Sequence, residues 1–228
     1  MNLRSDCQYY GEWKASTQAW CEERLCALVK EPANTYSNAA YIIVGIYLVS
    51  LCRKIPLSHL HLLGFFSILI GLMSGFYHAS GSFVGEVFDY SSMYLLSIYF
   101  LSMNLRRLYS LSAQTLWILA LFLLCLSIGS LVTWEVIGSL LFGIQVIFAL
   151  LIEIYLKKTK NVQVSYRPLL KGCGLFVLAF IFWNLDRSRI LCDPNNHILN
   201  GHALWHIITA SAIYFIYQFY SQFEFKNE

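Results

Sequence analysis

Residues 59–80 read HLHLLGFFSILIGLMSGFYHAS. The run is apolar over the roughly 20 residues that a helix needs to cross a bilayer. It also carries Ser74 and His78, four positions apart near its end. Six similar runs accompany it, at about 34–52, 84–105, 113–130, 133–156, 168–186 and 200–221. The pattern predicts an all-α fold, a seven-transmembrane helix bundle. The stretch Ser127–Thr133 marks the break between the fourth and fifth spans.

Composition agrees. Of 228 residues, 57% are hydrophobic and 13% charged, against about 25% charged in a soluble domain. The net charge of +3 is small, and the basic residues lie beside apolar runs and form no stripe. Nucleic acid is therefore not an expected partner. The first 30 residues are polar and mixed in charge, without the apolar core of a cleavable signal peptide. There is no internal repeat. The expected organisation is an outer N-terminal segment (1–33), a seven-span domain (34–221) and a short cytoplasmic tail (222–228).

Lys and Arg placement sets the orientation. Arg53, Lys54, Arg106, Arg107, Lys157, Lys158, Lys160, Arg167, Lys171 and Lys226 fall on one side. Arg4, Lys14, Arg24, Lys30, Arg187 and Arg189 fall on the other. The richer side is cytoplasmic by this rule, so the N-terminus is outside and the C-terminus inside. Cys7, Cys21, Cys26 and Cys192 then lie outside, where disulfides are permitted. Cys21–Cys192 is the favoured pair, because it would tie the N-terminal segment to the loop before the seventh span; free thiols are the alternative. Cys52, Cys125 and Cys173 lie in or beside spans, where buried thiols are ordinary.

Span direction brings polar residues together. His78 ends the second span, Asp89 lies near the start of the third, and His202 and His206 open the seventh. All of these are outer ends. Glu31, Asn34, Ser37 and Asn38 open the first span on the same side. His202 and His206 are four apart and share a helix face. Three imidazoles suit zinc and leave a fourth position for water. Asp89 is placed to orient a histidine or to move protons.

Each residue alone has a plainer reading. A lone HxxxH pair in an apolar helix is more often packing or interfacial. His59 and His61 lie at the inner end of the second span and read as interfacial, while His197 reads as solvated. Most Tyr, Phe and Trp residues read as lipid-facing surface and interface belts. Glu135 and Glu153, near helix ends, can snorkel and carry no assigned role.

The blocks Trp20-Cys21-Glu22-Glu23, Glu31-Pro-Ala-Asn34-Thr-Tyr-Ser37-Asn38, Ser74-Gly-Phe-Tyr-His78, Asp89 and His202-Ala-Leu-Trp205-His206 occur in this order. Together they resemble the alkaline ceramidases. These belong to a superfamily of seven-span membrane hydrolases that includes adiponectin-receptor-like proteins. The resemblance covers residue 20 to the seventh span. It implies zinc held by His78, His202 and His206, with Ser74 and Asp89 as catalytic helpers. It also implies a Cys21–Cys192 disulfide.

Some members of that family bind calcium through the N-terminal segment. Trp20, Glu22 and Glu31 correspond to that site, but Ala19 stands where the family has Asp and Arg24 where it has Asn. Calcium takes about six to eight oxygens, and Arg24 brings positive charge instead. Glu22 or Glu31 is an alternative partner for Arg24.

The function implied is zinc-dependent intramembrane hydrolysis of a lipid amide, cleaving ceramide or a related N-acyl lipid near the extracytoplasmic face. Membrane lipids surround the protein, and no obligatory protein partner is evident. Two rivals remain open: a hydrolase of another N-acyl lipid or lipid ester, and an adiponectin-receptor-like lipid sensor. A transporter is disfavoured. No broken-helix pair is visible, and the polar residues gather on one side only.

Overall fold

The computed structural model describes residues 7–52, 59–160 and 163–223. Arg4, Arg53, Lys54 and Lys226, which entered the orientation argument, lie outside the described residues, as do residues 224–228 of the expected tail and the His59 side chain. Eight helical segments occur among the described residues: α1 (Pro32–Ser37), α2 (Ala39–Cys52), α3 (His59–Ser80), α4 (Phe83–Tyr109), α5 (Ala113–Thr133), α6 (Gly138–Thr159), α7 (Arg167–Arg187) and α8 (Gly201–Tyr220). β-structure among these residues is limited to an isolated antiparallel bridge between Ala15 and Ser82.

Among the described residues, five helices are long and apolar enough to cross a membrane: Pro32–Cys52, Leu60–Ser80, Ala113–Thr133, Gly138–Thr159 and Arg167–Arg187. The first of them joins α1 to α2 across Asn38, whose N–H turns back to the carbonyls of Thr35 and Tyr36. Of the seven expected spans, the third and seventh correspond to α4 and α8. Both have the length, but α4 carries Glu86, Asp89, Arg106 and Arg107, and α8 carries His202 and His206. Their polar load keeps them out of the apolar set.

The break between the fourth and fifth runs lies later than Ser127–Thr133, since α5 continues to Thr133 and α6 starts at Gly138. The hydroxyls of Ser127 and Thr133 donate to the carbonyls of Leu123 and Gly129, each at 2.8 Å. Such back-bonding satisfies a hydroxyl without ending a helix.

Contacts divide the chain into two units. The first contains the N-terminal segment, α1–α3, the start of α4 to Asp89, α7 and α8; the second contains the rest of α4, α5 and α6.

In the first unit α2 and α3 approach at backbone distance. A Cβ on Gly45 would stand 2.6 Å from the Gly64 carbonyl oxygen, and one on Gly64 would stand 2.9 Å from that of Gly45. Small residues permit this packing where lipid supplies no hydrophobic drive between helices. Gly81 turns the chain from α3 to α4 with φ +60°, its N–H on the Tyr77 carbonyl at 2.7 Å. That left-handed conformation suits a glycine after a helix.

The N-terminal segment is clasped against this turn. Ser16 N–H donates to the Gly81 carbonyl at 3.1 Å, and Phe83 N–H to that of Lys14 at 2.7 Å. The Glu86 carboxylate accepts from the Thr17 N–H at 2.6 Å and from its hydroxyl at 2.5 Å. Cys21 and Cys192 are joined, with an S–S distance of 2.05 Å, and Cys7 pairs with Cys26. The second pair was not singled out by sequence.

In the second unit polar side chains link the helices. Tyr94 donates to the Gly138 carbonyl at 3.1 Å, Gln145 to Ser127 at 2.8 Å and Asn104 to the Ala149 carbonyl at 2.8 Å. Glu153 does not snorkel. It is buried and forms an ion pair with Arg107. A carboxylate in an apolar helix needs such a partner.

Candidate metal centre and active site

His78 stands near the C-terminal end of α3, while His202 and His206 occupy the first turns of α8. All three are buried, and one ligand atom from each lies within 4.8 Å of the others. The Nε2 atoms of His78 and His202 are 3.2 Å apart. These residues could hold a metal ion.

The second ring nitrogen of two of the histidines is held by residues at the two ends of α1, the N-cap Glu31 and the last residue Ser37. His78 Nδ1 lies 2.6 Å from Glu31 Oε2, and His206 Nδ1 lies 2.8 Å from Ser37 Oγ. Such contacts fix ring orientation and leave the opposite nitrogen for a ligand bond. Trp20 stacks on His202 with ring centroids 3.6 Å apart and 18° between planes. Its indole N–H donates to the Tyr77 hydroxyl at 3.1 Å. Trp183 packs against both Trp20 and Trp205. Trp20 and Trp205 are buried, and Trp20 lies against both His78 and His202, so these two are not part of a lipid-facing belt.

Asp186 sets the position of α8. It is fully buried near the end of α7. One carboxylate oxygen accepts from the Cys21 N–H at 2.9 Å, and the other accepts from the His202 N–H at 3.0 Å. A carboxylate at a helix N-terminus satisfies orphan donors and favours the dipole. Asn200 completes the cap, accepting from the Ala203 N–H at 2.8 Å. Gly201 is required at this junction, because a Cβ there would stand 2.8 Å from the Phe182 carbonyl oxygen.

Ser74 lies one turn before His78 and is buried. It hydrogen-bonds Asp89, and His78 is near enough to act on the Asp89 charge. The five residues converging by span direction are thus in one neighbourhood. Glu31, the residue before α1, also supplies a carboxylate to the cluster, through His78 Nδ1.

The candidate calcium residues are otherwise engaged. Glu22 accepts from the N–H groups of Ala33 and Asn34 at 2.9 and 3.0 Å, which caps α1. It also contacts His197 Nδ1 at 2.9 Å and Asn200 Nδ2 at 3.4 Å, so His197 is not simply solvated. Glu31 pairs with Arg24 at 2.7 Å. Burial by itself would push the Glu31 carboxyl up. The hydrogen bond and charge of His78, with the charge and hydrogen bond of Arg24, outweigh burial and hold it at about 2, down from an ordinary 4.5.

Sequence reasoning placed Glu31, Ser37 and Asn38 at the right end of the first span without giving Glu31 or Ser37 a histidine. Asp186 was passed over. Its signal is a lone carboxylate at the end of an apolar run, which needs a partner by the cost of burial.

The fold and the histidine cluster define an all-helical protein with membrane-length apolar helices and a site able to hold a metal ion. The chain belongs to the ceramidase family, whose model, Ceramidase, matches residues 12–228. It is 24% identical over 260 residues to "Putative alkaline ceramidase dcd3B" of Dictyostelium discoideum, covering 96% of this chain and 90% of that one. It is 26% identical over 243 residues to "Alkaline ceramidase YPC1" of Saccharomyces cerevisiae, covering 90% and 76% respectively.

Proposed function

We propose that this chain is a zinc-dependent intramembrane lipid amide hydrolase that cleaves ceramide to a fatty acid and a sphingoid base. The observation that carries the reading is the geometry of His78, His202 and His206 beside the Ser74–Asp89 pair. Zn–N bonds of 2.0–2.1 Å at a tetrahedral angle put two nitrogens about 3.3 Å apart, and the Nε2 atoms of His78 and His202 are 3.2 Å apart. His202 Nδ1 is a buried nitrogen with no hydrogen-bond partner among the described residues, so this ring is oriented by its stacking on Trp20 and not through its second nitrogen. The family match and the alkaline ceramidases among the relatives support a lipid amide as substrate.

Bound zinc supplies a Lewis acid toward the amide carbonyl and toward water. Asp89 accepts the proton of the attacking water as its oxygen bonds to the carbonyl carbon. Once protonated, Asp89 no longer competes for the Ser74 hydroxyl hydrogen, and Ser74 donates to the developing oxyanion. A contact of that type is worth about 3–4 kcal/mol. The C–N bond then breaks, and Asp89 returns its proton to the leaving nitrogen. Glu31 and Ser37 hold the rings of His78 and His206 still throughout.

In this reading α4 and α8 also cross the membrane, within a seven-span domain of residues 34–221. The N-terminus is outside, the C-terminus is cytoplasmic, and the site lies near the extracytoplasmic face. A C-terminal reporter active only outside would reverse the orientation. The chemistry is tested by metal content from mass spectrometry and by fatty acid release from labelled ceramide. The expected result is bound zinc, with release abolished in His78→Ala. Full release by His78→Ala would sink the mechanism. Zinc-loaded protein that binds ceramide without turnover would favour the lipid sensor, and turnover confined to another N-acyl lipid or ester would move the substrate.

A further inference from the structure

Three acceptors converge on one guanidinium. Arg24 Nε donates to Glu31 Oε1 at 2.7 Å, and Nη2 donates to Ser16 Oγ at 2.6 Å and to the Gln18 carbonyl at 3.0 Å. The side chain is 21% exposed and its Glu31 partner 1%. The other Glu31 oxygen holds His78 Nδ1 at 2.6 Å and Asn34 Nδ2 at 3.1 Å. A fixed cation, one carboxylate and one imidazole thus form a line into the histidine cluster.

Calcium does not fit this segment. Ala19 has no side-chain oxygen. Both Glu22 oxygens accept from N–H donors, and both Glu31 oxygens are taken by Arg24, His78 and Asn34. A second cation also flanks the place. The Lys30 aliphatic chain and the Arg24 stem both lie against Gly81. Lys30 has its pKa lowered by burial and then by the charge of Arg24. A divalent ion that needs about six to eight oxygens would meet carboxylates already engaged by N–H donors and neutralised by the Arg24 guanidinium.

We propose that the Arg24 guanidinium is a built-in cation that holds Glu31, and through it His78, so that this chain needs no calcium to align its histidine cluster. A guanidinium suits the task. It stays charged at all working pH values and presents a planar fork of donors, where an ammonium is a point charge. Arg24 is a positioning residue acting through Glu31. The proposal uses the metal reading above for His78, but its calcium test does not depend on ceramide turnover.

The full chain, purified in detergent and stripped with a calcium chelator, is followed by melting midpoint and by zinc retention. Once the chelator has been removed by buffer exchange and zinc restored, the expected wild-type midpoint and zinc content are the same without calcium and in millimolar calcium. A saturable rise of either with calcium overturns the proposal, whether or not the protein hydrolyses ceramide. Arg24→Gln is expected to lower zinc affinity by about tenfold, the lower end for loss of an outer partner of a metal ligand. Methylguanidinium in the buffer, or Arg24→Lys, should recover part of it. Zinc affinity unchanged in folded Arg24→Gln also overturns the proposal. If that variant does not fold, the wild-type calcium titration still decides.

Discussion

Glu31 Oε2 lies 2.6 Å from His78 Nδ1, and both side chains are fully buried. The contact joins the residue before α1 to the end of α3, residues that are 47 positions apart. It holds the ring so that Nε2 faces His202, 3.2 Å from that residue's own Nε2.

Glu31→Gln keeps the shape but removes the charge. Loss of an outer partner of a metal ligand typically costs about 10–100-fold in affinity or activity. Zinc affinity, read by competition with a chelator, should fall within that range, and ceramide hydrolysis should fall with it. Unchanged affinity would show that Glu31 does not orient His78.

The same carboxylate predicts a pH dependence of stability. Its folded-state pKa is held at about 2, below the ordinary 4.5. A depressed carboxyl contributes stability in full above the unfolded value and loses it as pH falls toward the folded one. The melting midpoint of wild type should therefore exceed that of Glu31→Gln by a constant gap above about pH 5. The gap should narrow as pH drops from about 4.5 toward 2. A gap that stayed constant across that window would contradict the assignment.

Asp89 and Ser74 separate by kinetics. Asp89→Asn removes the proton acceptor, so kcat should fall by about 100-fold or more, in the usual range for general acid–base groups. Ser74→Ala should lower kcat with KM nearly unchanged, since its bond to the oxyanion exists only in the transition state. A graded, small loss in Ser74→Ala would mean that the metal carries most of the oxyanion charge. A wild-type rate in Asp89→Asn would remove Asp89 from the mechanism.

Asp186→Ala strips the N–H groups of Cys21 and His202 of their acceptor. Loss of a helix cap costs about 0.5–2 kcal/mol, and a second buried donor left unpaired adds about 1–3 kcal/mol. The midpoint should fall accordingly, and zinc affinity should fall with it because His202 sits on the freed turn. A variant that melts like wild type would show that the N-terminus of α8 is held by other contacts.

Periodicity, length and residue type were enough to identify apolar helices and to bring His78, Asp89, His202 and His206 to one end of the fold. Glu31, Asn34 and Ser37 were legible as openers of the first span. The end of α5 was misplaced because Ser and Thr in a helix can satisfy their hydroxyls on the preceding turn. The burial of Glu153 was not legible because its partner, Arg107, lies on another helix and leaves no local trace.

By itself the sequence determined that the chain is helical and apolar, and it placed Ser74 and Asp89 close along the chain to one of three histidines that could share a metal. Those statements follow from spacing along single helices and from the alternating direction of consecutive spans. Only the tertiary structure decided which acid serves His78, which residue holds His206, and that Arg24 and not an oxygen set surrounds Glu31. Long-range pairing depends on rotamers and on the close approach of helices at Gly45, Gly64 and Gly201, and no local pattern encodes these.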